Sequence, residues 1–240
     1  MPLDVLKTAD CGACDGFAAS VGVPGPVLME AAGLAVARAI RKRWARRPAL
    51  ILCGPGNNGG DGFVCGRILR QAGWPVRIAL LGEPGGLKGD AAAALALWDG
   101  PVEAMTAASL GDAGLVVDAM FGAGLSRPLG GVAAQLVAIL SERSIPVVAI
   151  DLPSGIGGDQ PDPGGTTLRA DLTVTFHARK PAHCLEPSAS LCGELVVADI
   201  GIPGGWRGVV TPLGRINEPA LWQGALPAPN AGTHKHQRGR

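Results

Sequence analysis

The chain has 240 residues, 47% of them hydrophobic, and its 21 Lys and Arg nearly balance 20 Asp and Glu for a formal charge of +1. That balance excludes the broad basic surface that holds nucleic acid through its phosphates. No apolar run of about 18 residues occurs without Gly, Pro or charge, which excludes a membrane span of the usual length, and the chain length suits one large α/β domain. The first ten residues carry both charge signs and no long apolar run, so they read neither as a signal peptide nor as an Arg-rich transit peptide, and a cytoplasmic protein is expected. The six cysteines are scattered and read as reduced thiols. Cys11 and Cys14 form a lone C-x-x-C with no second pair or His motif to make a zinc or redox site.

In chain order, helices are predicted over 3–20 and 26–44, separated by Val23-Pro24-Gly25-Pro26. Short apolar runs then alternate with helical stretches. Strands are predicted over 49–53, 76–81, 115–118, 146–150 and 172–176, with helices over 60–72, 88–98 and 132–142. This alternation predicts a largely parallel sheet covered by helices on both faces. The run 194–198 follows a Pro- and Gly-rich stretch with no helix in it, so an antiparallel edge pairing, and a mixed sheet on that side, is expected. Residues 1–225 read as one domain, and 226–240, with its linker composition and basic end, as a disordered tail.

The unusual polar loops follow strands, where open α/β sheets place ligands. The first is Gly54-Pro-Gly-Asn-Asn-Gly-Gly-Asp-Gly62, between a strand and a helix. Glycines admit close backbone approach, and free amides at a helix start attract phosphate, so this loop reads as a pyrophosphate cradle. Gly54, Gly56 and Gly59 also satisfy the dinucleotide fingerprint, with Glu83 after the next strand as a ribose-binding acid; no Lys-Ser or Lys-Thr follows to make a Walker A loop. The second loop, 118–131, begins at Asp118, and the third, 151–155, at Asp151. A carboxylate that closes an apolar strand must reach the crevice or stay desolvated, which makes both aspartates site candidates.

The chain resembles the NAD(P)H-hydrate epimerases, the YjeF N-terminal domain family. The resemblance rests on Leu28-Met-Glu-Ala-Ala-Gly33, the glycine loop 54–62, Val117-Asp-Ala-Met-Phe-Gly-Ala-Gly-Leu125 and Ile150-Asp-Leu-Pro-Ser-Gly155. Thr175-Phe-His-Ala-Arg-Lys-Pro181 and Val197-Ala-Asp-Ile-Gly-Ile-Pro203 match in the same order, so it extends over 3–203. It implies a three-layer αβα Rossmann-like fold, a homodimer and a potassium ion beside the nucleotide. The hydrate-binding positions it implies are Asn57, Asn58, Gly59, Gly60, Asp61, Gly122, Ala123, Gly124, Leu125, Ser126, Arg127, Pro128 and Asp151. The implied potassium ligands are Asn58, Asp118 and Ser154, oxygen donors suited to a hard cation. Two departures stand out: Ala31 takes the place of a frequent Asn, and Lys180-Pro181-Ala182 that of a Lys-x-Gly turn. Many relatives continue into a nucleotide-dependent dehydratase domain, and 233–240 resembles the lead-in to one.

The hydrate is a carbinolamine: it loses hydroxide with help from the ring nitrogen, and water returning to the opposite face inverts the centre. That chemistry needs a proton donor, a base and a field that steadies the cation. Asp151 is expected nearest the reacting ring, with Asp61 or a water as its counterpart and Asp118 on potassium; His177, Lys180 and His183 are further candidates to assist. Two other readings are an NAD(P)-dependent oxidoreductase and a non-catalytic nucleotide-binding module. The first lacks a partner set, since the chain has no tyrosine for Tyr-Lys hydride chemistry.

Overall fold

A computed structural model describes residues 3–226 and Gly232. Seven strands form the central sheet: β2 (Ala49–Cys53), β3 (Val76–Leu80), β4 (Val102–Ala104), β5 (Leu115–Ala119), β6 (Val147–Ile150), β7 (Leu172–Phe176) and β8 (Glu194–Ala198). Their order is β4-β3-β2-β5-β6-β7-β8. Every ladder is parallel. The antiparallel edge expected for 194–198 is therefore corrected: Glu194 pairs with Leu172 and Ala198 with Phe176 in the same direction. The chain regains its direction through a compact crossover whose one α-helix is α6 (Ser188–Leu191). Such a short helix in a Pro-rich stretch leaves no periodic signal.

The helices are α1 (Thr8–Ser20), α2 (Gly25–Arg43), α3 (Asn57–Gln71), α4 (Gly89–Ala96) and α5 (Gly131–Ser141). Strand alternation divides the core into two layers. Ile51, Cys53, Val117 and Ile150 pack with Val36 and Ile40 of α2 and Phe63 and Leu69 of α3. Leu50, Leu52, Val116 and Ala149 pack with Leu136, Val137 and Leu140 of α5 on the other face. The result is an αβα sandwich in which the central strands are apolar on both sides.

Three local expectations change. The first helix begins at Thr8, not at Leu3, because β1 (Asp4–Val5) pairs antiparallel with β9 (Gly214–Arg215). Asp4 is buried there, bonded to Arg207 and to Arg215. β4 was unmarked in the sequence, being three half-exposed residues at the sheet edge. The third helix starts at Asn57, which draws much of the glycine loop into a first helical turn. The expected tail lies outside the described residues apart from Leu226 and Gly232. Among the described residues no helix is long and apolar enough to cross a membrane, and all six cysteines are free.

The sheet order sets the position of the site. From β2 the chain runs outward through β3 and β4, then returns to β5 and runs the other way through β6, β7 and β8. The loops after β2 and β5 consequently diverge, and a crevice opens between them at this switch point.

Candidate active site

A cavity of about 790 Å³ occupies that crevice. Of the residues singled out from sequence, Asn57, Asn58, Asp61, Gly122, Ala123, Gly124, Leu125, Ser126, Arg127 and Asp151 all line it. Gly59, Gly60 and Pro128 are not on its wall. Gly59 and Gly60 are packed instead: a Cβ on Gly59 would stand 2.0 Å from the Gly54 carbonyl oxygen, and one on Gly60 2.6 Å from Met29 Cε. Gly54 is tighter still, with a Cβ there only 1.8 Å from the Met120 carbonyl oxygen. Gly54 therefore serves the close crossing of the β2 and β5 loops, and Gly59 the tight fold of the α3 start back onto Gly54. Gly56, the N-cap of α3, has open space around it and lines the cavity. The amides of Asn57, Asn58 and Gly59 begin α3, where no preceding turn supplies acceptors. Glu83 is not among the lining residues.

Asp118 and Ser154 lie just behind the wall, both fully buried. Ser154 Oγ donates to Asp118 Oδ1 at 2.7 Å, Ser154 N to Oδ2 at 2.7 Å, and Met120 N to Oδ1 at 3.2 Å. Phe121 N donates to Ser154 Oγ at 3.0 Å, and its carbonyl oxygen is 3.3 Å from the same hydroxyl. Burial raises the Asp118 carboxyl to about 6 despite these bonds. Asn58 lines the cavity beside Gly122, its Oδ1 2.9 Å from where a Cβ on Gly122 would be. Its buried Nδ2 has no partner. The Asp118 carboxylate, the Ser154 hydroxyl and the Phe121 carbonyl are hard oxygen donors, the kind that could hold a hard cation.

Asp151 ends β6 with φ of 66°, a region that favours glycine. Leu152 N donates to the Ile150 carbonyl at 2.8 Å, which closes a three-residue γ-turn around the aspartate. Such strain costs about 1–3 kcal/mol and persists only where the surroundings over-determine it. Here they do. Oδ2 accepts from Ala123 N at 2.8 Å, and Oδ1 accepts from Lys180 Nζ at 2.7 Å and Thr175 Oγ1 at 2.9 Å. The Asp151 carbonyl accepts from His183 Nε2 at 2.8 Å, while His183 Nδ1 accepts from Lys180 N at 2.9 Å. The second bond fixes the tautomer, so Nε2 carries the proton.

These contacts separate the titrating groups. Burial works to raise the Asp151 pKa, but the Lys180 ammonium and the donated bonds outweigh it and hold the carboxyl at about 2. Burial likewise opposes the charge on Lys180, and Asp151 keeps that ammonium above its ordinary value. Asp61 goes the other way: burial, reinforced by the charges of Asp151 and Asp15, pushes it well above the usual carboxylate range. The two carboxyls that line the cavity are thus perturbed in opposite directions, the pattern that separates a base from an acid.

Burial also lowers His183, to about 4. A histidine whose folded pKa lies below its unfolded value of about 6.5 stabilises the fold above that value and loses the contribution as pH falls towards 4. Asp118, raised to about 6, works in the opposite sense over much of the same window, so His183 has to be isolated by difference. The stability advantage of the native chain over His183→Gln is expected to shrink by up to about 3 kcal/mol between pH 6.5 and pH 4, read by denaturant melts. A constant difference across that window would show that the imidazole is not held neutral.

The sequence left α1 out of the site. Thr8, Cys11, Gly12 and Asp15 all line the cavity, spaced three or four apart on one helical face. The helix is clasped at its start: Thr8 N donates to Asp159 Oδ1 at 2.8 Å, and Thr8 Oγ1 to the same atom at 3.1 Å. The polar stripe was the available signal. Lys180 and His177, candidates to assist, both line the cavity, and His183 is the buried clamp behind Asp151. Two arginines of α3 are engaged elsewhere: Arg67 bonds Glu30 at 2.7 Å, and Arg70 lies 3.4 Å from Asp99 and over the Trp98 ring. Arg127 is on the cavity wall.

Residues 25–182, from the start of α2 through Ala182, match the family model described as YjeF-related protein N-terminus. The chain belongs to this family. A relative from Rhodobacter capsulatus named NAD(P)H-hydrate epimerase is 44% identical over 194 residues, 75% of this chain and 91% of the relative. One of the same name from Roseobacter litoralis is 37% identical and aligns over 83% of this chain and 99% of its own length. A Moorella thermoacetica relative named bifunctional NAD(P)H-hydrate repair enzyme is 36% identical over 98% of this chain, which spans 48% of that longer protein. The crystal structure of yeast ynu0 shares the fold with a TM-score of 0.71 at 22% identity, over 90% of this chain and 97% of that one. The family match places the YjeF-related core on the glycine loop, Asp118, Asp151 and Lys180, the residues that build the cavity.

Proposed function

We infer that this chain is an NAD(P)H-hydrate epimerase, an isomerase that interconverts the R and S forms of hydrated NADH and NADPH. The observation that carries the reading is the pair of oppositely perturbed carboxyls, Asp151 and Asp61, both lining the cavity at the switch point of a YjeF-related fold. The α3 amides and the loop 122–128 receive the diphosphate, and Arg127 is the guanidinium placed to meet a phosphate.

Asp61 gives its proton to the departing hydroxyl, so that water leaves and the ring becomes a planar iminium. The Asp151 carboxylate steadies that cation and accepts the proton of the water that returns to the opposite face. Solvent in the cavity then carries the proton back to Asp61. Asn58, Asp118 and Ser154, with the Phe121 carbonyl, would hold a potassium ion, which offsets diphosphate charge when bound. The active form in this reading is a cytoplasmic homodimer that works with an NAD(P)H-hydrate dehydratase, supported by the family resemblance and by the bifunctional relatives. The oxidoreductase reading has gained no observation.

The test supplies the purified chain with the R isomer alone and follows the S isomer by chromatography, with potassium and with lithium in its place. The S form is expected to appear, with no change in nicotinamide redox state, and faster in potassium. Potassium at about 100 times its dissociation constant stabilises by about 2.7 kcal/mol, which raises Tm by about 5–10 °C for a chain of this size. Absence of any S isomer overturns the activity; equal Tm and rate in the two salts overturn the ion.

A further inference from the structure

His177 repeats at the end of β7 what Asp151 does at the end of its neighbour β6. Its φ is 63°, and Ala178 N donates to the Phe176 carbonyl at 2.7 Å, so a second γ-turn closes around a second residue that is not glycine. The two are the positive-φ non-glycine residues among those described, and both line the cavity. For Asp151 the strain aims a carboxylate at the site. For His177 the fold supplies a backbone bond, His177 N to the Ala198 carbonyl at 2.8 Å, and an edge-to-face contact of the ring with Trp206 at 4.8 Å, but its buried Nε2 has no hydrogen-bond partner. A buried polar atom left unpaired is a cost unless a ligand completes it.

Among the described residues such buried side-chain atoms are Asn58 Nδ2 and His177 Nε2, and both belong to residues that line the cavity. The His177 ring also borders a second cavity of about 560 Å³, but there Arg207 and Arg215 are already bonded to Asp4. Asn58 lines only the larger of these two cavities, so a ligand there is the one that could meet both unpaired groups. Burial and the nearby Lys180 charge lower the imidazole pKa, so the ring is neutral at pH 7 and can either donate or accept.

We propose that His177 is a substrate-positioning residue, whose Nε2 hydrogen-bonds the polar edge of the nicotinamide-derived ring and sets that ring against Asp151. The proposal rests on the epimerase reading for the identity of the ligand. The contact is made equally before and during reaction, so its loss raises KM and leaves kcat nearly unchanged.

The test compares the native chain with His177→Gly, which relieves the positive φ and deletes the imidazole, and with His177→Gln, which returns an amide near the Nε2 position. Binding of NADPH hydrate is measured by calorimetry, turnover by isomer chromatography, and folding by Tm. His177→Gly is expected to weaken Kd and KM about tenfold, equivalent to about 1.4 kcal/mol, with kcat within about twofold and the fold intact; His177→Gln recovers most of the loss. Unchanged Kd and KM in a folded His177→Gly overturn the proposal, as does a Tm change with no change in Kd. Should the native chain bind the hydrate without turning it over, the epimerase reading fails while the Kd ratio still decides the role of His177. Should it neither bind nor turn over, both fail.

Discussion

Asp151→Asn is expected to reduce kcat for hydrate epimerisation by about 10³-fold, within the range for loss of a positioned acid or base, while nucleotide binding persists. Asparagine keeps the shape but has a single acceptor oxygen: turned towards Ala123 N, it leaves the amide facing Thr175 Oγ1 and Lys180, so the change removes the charge together with the bonds that Asp151 Oδ1 accepts. The same change strands Lys180, which is 4% exposed and 2.7 Å from Asp151 Oδ1. A buried cation without its partner costs about 3–5 kcal/mol, so the variant melts earlier, and stability has to be separated from catalysis. Adding Lys180→Met to Asp151→Asn removes the stranded charge and is expected to restore most of the Tm with no return of turnover. If folded Asp151→Asn retains more than about a tenth of native kcat, the carboxylate does not act on the reacting ring.

Gly54→Ala is expected to weaken the fold without touching a charged group. Its Cβ would meet the Met120 carbonyl oxygen at 1.8 Å, a backbone atom at the end of the neighbouring strand, so relief requires the β2 and β5 loops to part. The loss is expected at about 3 kcal/mol, the upper end of ordinary overpacking, or about 6–12 °C in Tm. Gly56→Ala is the contrast, since nothing lies within 4 Å of a Cβ there and its φ of −108° suits any residue. Its Tm is expected to change by less than about 2 °C. Thermal melts of the two variants decide the point, and a Gly54→Ala protein within about 2 °C of native would show that the two loops are not in close contact.

These glycines show how far a sequence pattern reaches. A glycine-rich turn between a strand and a helix was legible as a site, and the site is there. Which glycine admits a ligand and which admits another stretch of backbone was not, because Met120 lies 66 positions from Gly54 in the chain.

The same division holds for the whole molecule. Strands β2, β5, β6 and β7 were readable because burial on both faces demands unbroken apolar runs, and Asp118 and Asp151 were readable as exceptions that close two of them. By itself the sequence determined the αβα layering, the three strand-end loops and the identity of the groups that carry chemistry. The direction of β8, the burial of Asp4 between two arginines, the α1 wall and the Lys180 clamp on Asp151 were decided by tertiary contacts alone. Local residue pattern records how much of each side chain must leave water, and the partner it then meets, often a hundred or more residues away, is chosen by how the finished layers fit.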